Sequence, residues 1–299
     1  MDKLDYRARA KINLGLDVCR RLENGYHEVK MILQSVNIYD ELTFQKRTTP
    51  DVVLSVQSKD YLGDLNSNLI VRAANLMKQQ YNISDGIGIK LKKNIPVAAG
   101  MAGGSTDAAA TMIAMNELFE LGLSTEQLMK DSVSLGADIP FCIMGGTALA
   151  EGIGDKLTPL PAPPQAILLV VKPPIMVSTK WVYETLRVQE LTSRPDIDGM
   201  AEALRQGDLK GITNRMANVM ETVTEKKYPI ITDIKKMMLG TGAMNAVMSG
   251  SGPSIFGVFL NKDAARAAAV YIDQTLRTKG IEAQINITEF FNGNTLEHV

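Results

Sequence analysis

Pro96-Val97-Ala98-Ala99-Gly100-Met101-Ala102-Gly103-Gly104-Ser105-Thr106-Asp107-Ala108-Ala109-Ala110 is the stretch whose reading settles the fold. Before it, Ile89 and Leu91 alternate with Lys90 and Lys92, a strand pattern with one apolar face. After it, residues 106–121 carry helical spacing, with Ser105 placed to cap the start and Gly122 to end it. Strand, glycine-rich turn and helix start therefore follow in order. Glycines let backbone N–H groups approach a ligand closely. The helix start adds unpaired N–H groups and the positive end of the dipole. Together these make an anion site, with phosphate as the usual occupant. The segment is not a Walker A loop, because no Gly-Lys-Ser/Thr closes it, and its glycine spacing is not the Rossmann fingerprint. A tight turn packed on its own helix is the plainer reading of any glycine cluster. The alanine-rich helix entry favours phosphate here.

Working outward, residues 8–18 form a second strand pattern. Ile12, Leu14, Leu16 and Val18 alternate with Lys11, Asn13, Gly15 and Asp17. Lys11 and Asn13 point off the apolar face, into solvent or into a cleft. Tyr26 and His27 follow a turn at Glu23-Asn24-Gly25 and could cradle a ligand or pack. In Gly136-Ala137-Asp138-Ile139-Pro140 a carboxylate falls just past a helix and before an X-Pro unit that disfavours helix. Its neighbours are apolar, so it needs a cation or local N–H groups. A general base held by a cation and an exposed helix-end Asp both remain open. A second Gly/Ser loop, Ser249-Gly250-Ser251-Gly252-Pro253-Ser254, lies between strand patterns and could approach the first loop or be a plain turn.

The rest of the chain alternates strands and helices. Strands are expected at 29–38, 41–44, 52–56, 166–171, 255–260 and 282–288. Helices are expected at 68–80, from the Ser124-Thr125-Glu126-Gln127 capping box to near Gly136, and at 178–187, 198–219, 229–239 and 263–279. Pro159-Leu160-Pro161-Ala162-Pro163-Pro164 reads as a stiff linker between two regions of similar size. The chain has 299 residues, 45% hydrophobic and 22% charged, which suits about two domains. Its 32 Lys plus Arg against 33 Asp plus Glu leave no basic excess for a polyanion, so nucleic acid is disfavoured as a partner. No apolar run reaches the ~18 residues of a spanning helix. The charged opening Met1-Asp2-Lys3-Leu4-Asp5 shows no signal peptide. Two cysteines and two histidines are too few for a disulfide scaffold or a thiolate zinc site, and a reduced, cytoplasmic setting is expected.

Taken together, these segments resemble the GHMP kinase superfamily. The resemblance is carried by Ala10-Lys11-Ile12-Asn13-Leu14, Asn24-Gly25-Tyr26-His27, 68–74 (Asn-Leu-Ile-Val-Arg-Ala-Ala), 96–110, Leu135-Gly136-Ala137-Asp138-Ile139-Pro140 and 248–253. It covers nearly the whole chain, most closely residues 8–155. Within the superfamily it is most similar to the branch acting on 4-diphosphocytidyl-2-C-methyl-D-erythritol. The resemblance implies a two-domain α+β fold: an N-terminal S5-like domain at 1–160 and a C-terminal ferredoxin-like α/β domain at 161–299, with the site between them.

The resemblance also implies transfer of the ATP γ-phosphate to the 2-hydroxyl of that small-molecule substrate, in the non-mevalonate route to isoprenoid precursors. Asp138 matches the catalytic base and Lys11 the lysine beside it. Pro96 to Thr106 match the ATP phosphate loop. Asn13, Tyr26 and His27 match substrate-binding positions, and Thr179 and Tyr183 further ones, with Tyr183 and Tyr26 sandwiching cytosine. Mg²⁺ would bridge phosphates, its protein ligands unassigned, with Ser105 or Thr106 as candidates. The partner is the small molecule, with no nucleic acid or membrane, in a monomer or homodimer. The alternatives are another GHMP small-molecule kinase (of homoserine, mevalonate or a sugar) and a non-catalytic nucleotide-binding module. Met101 stands where Leu is usual, Ala98, Ala99 and Ala102 where Gly is frequent, and Thr106 where Ser is. Each keeps its backbone donor.

Overall fold

The computed structural model describes residues 2–60, 63–293 and 296–298. Its strands are β1 (Lys3–Arg21), β2 (His27–Arg47), β3 (Val52–Gln57), β4 (Gly86–Lys92), β5 (Thr147–Glu151), β6 (Lys156–Leu160), β7 (Ile167–Lys172), β8 (Ala217–Asn218), β9 (Asn245–Met248), β10 (Ile255–Phe259), β11 (Gln284–Glu289) and β12 (Leu296–His298). Its helices are α1 (Leu69–Gln80), α2 (Gly103–Leu118), α3 (Thr125–Ser132), α4 (Ile139–Met144), α5 (Thr179–Thr185), α6 (Ile197–Gln206), α7 (Leu209–Arg215), α8 (Glu221–Lys227), α9 (Ile230–Gly240) and α10 (Lys262–Thr278). Among the described residues, no helix is long and apolar enough to cross a membrane.

Two sheets organise these elements. The first runs β12-β1-β2-β4-β3, with β5 and β6 continuing from β2 and β8 alongside β1. The second runs β11-β7-β10-β9, all antiparallel. Its chain order, strand–helices–strand–strand–helix–strand, is the split βαβ arrangement expected for the C-terminal half. The first sheet extends beyond the 1–160 region expected to form the N-terminal domain. It gains β8 and β12 from beyond residue 160, because β2 occupies only one edge of β1: on the other edge β12 pairs antiparallel at Tyr6 to Ala8 and β8 joins in parallel at Gly15 and Leu16.

The long β1–β2 ribbon is the spine. Even-numbered residues of β1 feed three apolar clusters in turn. Leu4, Tyr6 and Ala8 pack with α1 and α2, Ala10, Ile12 and Leu14 with Leu168, Val170 and Phe256, and Leu16 and Val18 with Leu169 and Val171. Register shifts at Arg9/Lys11, Asn13/Gly15 and Val18/Arg20 bend the strand between them, as bulges do. Lys11 and Asn13, on the other side of β1, are buried rather than solvated, beside Asp138 at the head of α4, Met31 of β2 and the loop at Gly250.

Some boundaries differ from the periodicity. α2 starts at Gly103, not Thr106, and its cap is Ala102 in the left-handed region (φ 57°), without a side-chain cap bond. Ser124 caps α3 as its spelling predicts, accepting from the Gln127 N–H. The helix expected over 198–219 breaks at Gly207, whose left-handed backbone closes α6. Residues 217–218 there become a strand. Asp138 lies at the head of α4, with Pro140 in its first turn, where a missing N–H costs nothing.

Candidate active site

One cleft of about 940 Å³ lies between the two sheets. β4 delivers the chain to the 96–106 loop, and α2 carries it away. Because no side chain caps α2, the N–H groups of its first turn are free to meet an anion. Gly103, Gly104 and Ser105 line the cleft there. The loop is fastened on two sides. Lys11 donates its backbone N–H to the Met101 carbonyl at 3.1 Å. From the late Gly/Ser loop, Ser249 Oγ donates to the Gly100 carbonyl at 2.8 Å and the Ser254 N–H to the Ala99 carbonyl at 3.3 Å. The two loops therefore form one wall. Gly100 has φ +72°, and a Cβ there would lie 2.1 Å from the Ser249 carbonyl oxygen.

Most of the expected loop residues face the cleft: Pro96, Val97, Ala98, Ala99, Gly100, Ala102, Gly103, Gly104 and Ser105 all line it. Met101 and Thr106 do not. Met101 is buried in the core cluster under β1. The Thr106 side chain is fully buried beside the Cys142 thiol. The rotation of about 100° between successive residues of α2 turns its hydroxyl inward and leaves Ser105 as the cleft-facing hydroxyl.

The chemical end of the cleft is built by β1 and α4. Lys11 Nζ donates to Asn13 Oδ1 at 2.9 Å and lies 3.7 Å from Asp138 Oδ1. The lysine side chain is 6% exposed and the carboxylate 37%. Asn13 in turn places its amide against Met31 Sδ at 3.2 Å. A buried ammonium with an amide at its back thus presents its remaining donors to a half-open carboxylate.

The far end is aromatic. His27 stacks on Tyr183, with ring centroids 4.9 Å apart and planes 26° from parallel. Tyr26, expected to oppose Tyr183, is 60% exposed and its ring is not on that stack. His27, at the first position of β2, takes the Tyr183 face, while Tyr26 lines the cleft mouth from the loop before it. Burial, and then the Asp138 charge, push the Tyr183 phenol up to about 12. Burial, and then Arg21, hold His27 below its ordinary value. Thr179, at the start of α5, shares a 2.7 Å hydrogen bond with Ser251 Oγ, tying α5 to the Gly/Ser loop.

Asn218 was missed by sequence. Its amide donates to the Met248 and Gly250 carbonyls at 2.8 and 2.7 Å, holding the base of that loop. It sits in a stretch that reads as helix, so no local signal marks it. Among the described residues no group of three or more His, Cys, Asp or Glu could hold a metal ion. Of the two candidate hydroxyls only Ser105 faces the cleft, a donor set that suits a Mg²⁺ brought in on phosphates and taking few protein ligands.

Comparison with known proteins follows this geometry. Residues 68–146 match the GHMP kinases N terminal domain, and residues 200–278 match the GHMP kinases C terminal family. The chain is 48% identical over 290 residues to a 4-diphosphocytidyl-2-C-methyl-D-erythritol kinase of Lachnoclostridium phytofermentans, covering 95% of this chain and 99% of that one. A crystal structure of a 4-(cytidine 5'-diphospho)-2C-methyl-D-erythritol kinase superposes with a TM-score of 0.80 at 30% identity, covering 97% of this chain and all of that one. A homoserine kinase from Cytophaga hutchinsonii gives 0.81 at 20% identity over 100% and 98% of the two chains, which is likeness of fold alone.

Proposed function

The chain belongs to the GHMP kinase family, in its 4-diphosphocytidyl-2-C-methyl-D-erythritol kinase branch, and we propose that Lys11 and Asp138 carry its reaction. It is an ATP-dependent small-molecule kinase. The observation that carries the assignment is the 3.7 Å approach of Lys11 Nζ to Asp138, beside a helix start whose N–H groups are uncapped.

Phosphoryl transfer needs positioning and charge neutralisation more than covalent help. The N–H groups of 103–105, on the dipole of α2, hold the β- and γ-phosphates. The substrate 2-hydroxyl lies against Asp138. As its oxygen bonds to the γ-phosphorus and the bridging P–O bond breaks, its proton passes to the Asp138 carboxylate and ADP leaves. Lys11, fixed by Asn13, faces the charge that spreads over the transferring oxygens. Ser105 would be the protein oxygen nearest to hand for a Mg²⁺ brought in with ATP, which would supply further charge neutralisation. The cytosine stacks at the His27–Tyr183 end, and Tyr26 closes over it from outside. Thr179 contacts the substrate from α5.

We place the domain boundary at the proline-rich segment 161–164, where the chain passes from β6 to β7. Balanced charge and two free cysteines support a reduced, cytoplasmic monomer or homodimer without nucleic acid.

ADP release tests the reading, with 4-diphosphocytidyl-2-C-methyl-D-erythritol beside homoserine, mevalonate and galactose. Turnover is expected with the cytidyl acceptor, falling about 100- to 10,000-fold in Asp138→Asn. Near-full turnover in the variant would remove the base assignment. Turnover with only another acceptor would remove the substrate pocket.

A further inference from the structure

A buried charge cluster lies under the phosphate loop, outside the residues assigned so far. Lys93 follows β4, and its side chain is 6% exposed. Its ammonium is 2.5 Å from Asp40 Oδ2 and 2.8 Å from Asp107 Oδ2. Asp40, fully buried on β2, uses its other oxygen to accept the N–H groups of Asn94 and Ile95, at 2.6 and 2.8 Å. Asp107 is 2% exposed in the opening turns of α2, and its Oδ1 has no hydrogen-bond partner. Lys93 and Asp107 both line the cleft.

The positions of these groups matter more than their charge. Asn94 and Ile95 are the stem entering the 96–106 loop, and Asp107 is the stem leaving it. Asp40 grips the first stem through two N–H groups, and Lys93 bridges from Asp40 to the second. The ammonium runs against Gly103, the first residue of α2. A Cβ on Gly103 would sit 2.8 Å from Lys93 Nζ and 3.0 Å from Ile95 Cγ2. The bridge therefore passes directly beneath the N–H groups that face the cleft.

We propose that Asp40, Lys93 and Asp107 form a buried clamp across the neck of the phosphate loop and set the position of the nucleotide-binding N–H groups of α2. All three are positioning residues, and the proposal rests on the ATP role given to the loop above. Their loss acts on ATP, not on the cytidyl acceptor, which is held at the other end of the cleft. Burial raises the proton affinity of Asp107, which limits the cost of placing two carboxylates around one ammonium.

The test measures Michaelis constants for both substrates, ADP affinity by calorimetry, and melting temperature. Removing Lys93 would strand two buried carboxylates, so the informative variants are Asp107→Ala, Asp107→Asn and Gly103→Ala. Asp107→Ala is expected to raise the ATP KM and the ADP Kd about tenfold, with KM for the cytidyl acceptor within twofold and kcat falling far less than ATP KM rises. Asp107→Asn, whose amide oxygen still accepts from Lys93, should recover most of that loss. Gly103→Ala keeps all three charges but displaces the ammonium, and should reproduce the tenfold weakening. A lower melting temperature with unchanged ATP KM and ADP Kd would make the cluster purely structural and overturn the proposal. If Asp107→Ala does not fold, unaltered nucleotide affinity in Gly103→Ala overturns it equally. Failure of the unaltered protein to bind ADP would overturn the kinase reading itself.

Discussion

Gly100→Ala tests whether the two loops form one wall. The new methyl group meets two obstacles. Gly100 has φ +72°, a left-handed backbone that costs an L-residue about 1–2 kcal/mol. Its Cβ also falls 2.1 Å from the Ser249 carbonyl oxygen and 3.1 Å from the Gly252 nitrogen. Both are backbone atoms and cannot swing aside. The late loop has to retreat, which breaks the Ser249 Oγ bond to the Gly100 carbonyl, worth about 1 kcal/mol net. The combined loss is roughly 2–3 kcal/mol, or about 3–5 °C in Tm for a chain of this size. Because the wall is split at the phosphates, ATP KM should rise about tenfold or more, as expected for ~1.4 kcal/mol of lost binding. Gly122→Ala is the matched control. Gly122 has φ +66° with nothing within 4 Å of its Cβ, so it carries the backbone cost alone and lies outside the cleft. Differential scanning fluorimetry and steady-state ATP titration read both variants. If Gly100→Ala melts with Gly122→Ala and keeps the wild-type ATP KM, the two loops are not coupled and the reasoning fails.

Two other outcomes follow from the site. Ala98 is exposed with φ +50°, so Ala98→Gly removes a left-handed strain and loses no packing. A net gain of about 0.5–1 kcal/mol is expected after the entropy of glycine is counted, and an urea midpoint below wild type would contradict it. His27 has its folded pKa held below the ordinary 6.5, so the unfolded chain binds more protons between the two values. Its contribution to stability is therefore complete above pH 6.5 and is lost as pH falls through the folded value. Melting temperatures at pH 7.5 and 5.5 should show a smaller acid-induced drop in His27→Asn than in wild type. An identical drop in both proteins would rule out the effect.

The strand–loop–helix unit was legible because each part has a local cause: alternation in β4, glycines in the loop, alanine-rich spacing in α2. The N-cap was misplaced because Ser105 looks like a cap. Tertiary fastening of the Gly100 and Met101 carbonyls instead drives Ala102 into the left-handed region and starts the helix at Gly103. Lys11 and Asn13 could be placed on the polar side of β1, but their burial depends on α4 and the Gly250 loop, brought in from over a hundred residues away. Tyr26 and His27 were visible as a pair. Only the bend of the ribbon decides that His27 takes the Tyr183 face. The Asp40–Lys93–Asp107 cluster had no spelling of its own, since its members are ordinary charged residues until the fold buries them together. Asn218 was hidden for a different reason: short helices and a two-residue strand share one apolar rhythm.

The β1–β2 ribbon also behaves as a ruler graduated in residues. Lys11 is paired with Ser35 and Arg21 with His27, so the distance between the reacting end and the base-binding tip is counted along one strand. Each residue advances the chain about 3.3 Å and reverses the side of the sheet its side chain faces. Deleting one residue between Asn13 and Arg21 would shorten the reach by that step and turn the tip over, even if every contact amino acid were kept. The interval can therefore drift in composition but not in length. Insertions are better accommodated at exposed turns such as Lys279-Gly280, which carry no measurement of the site.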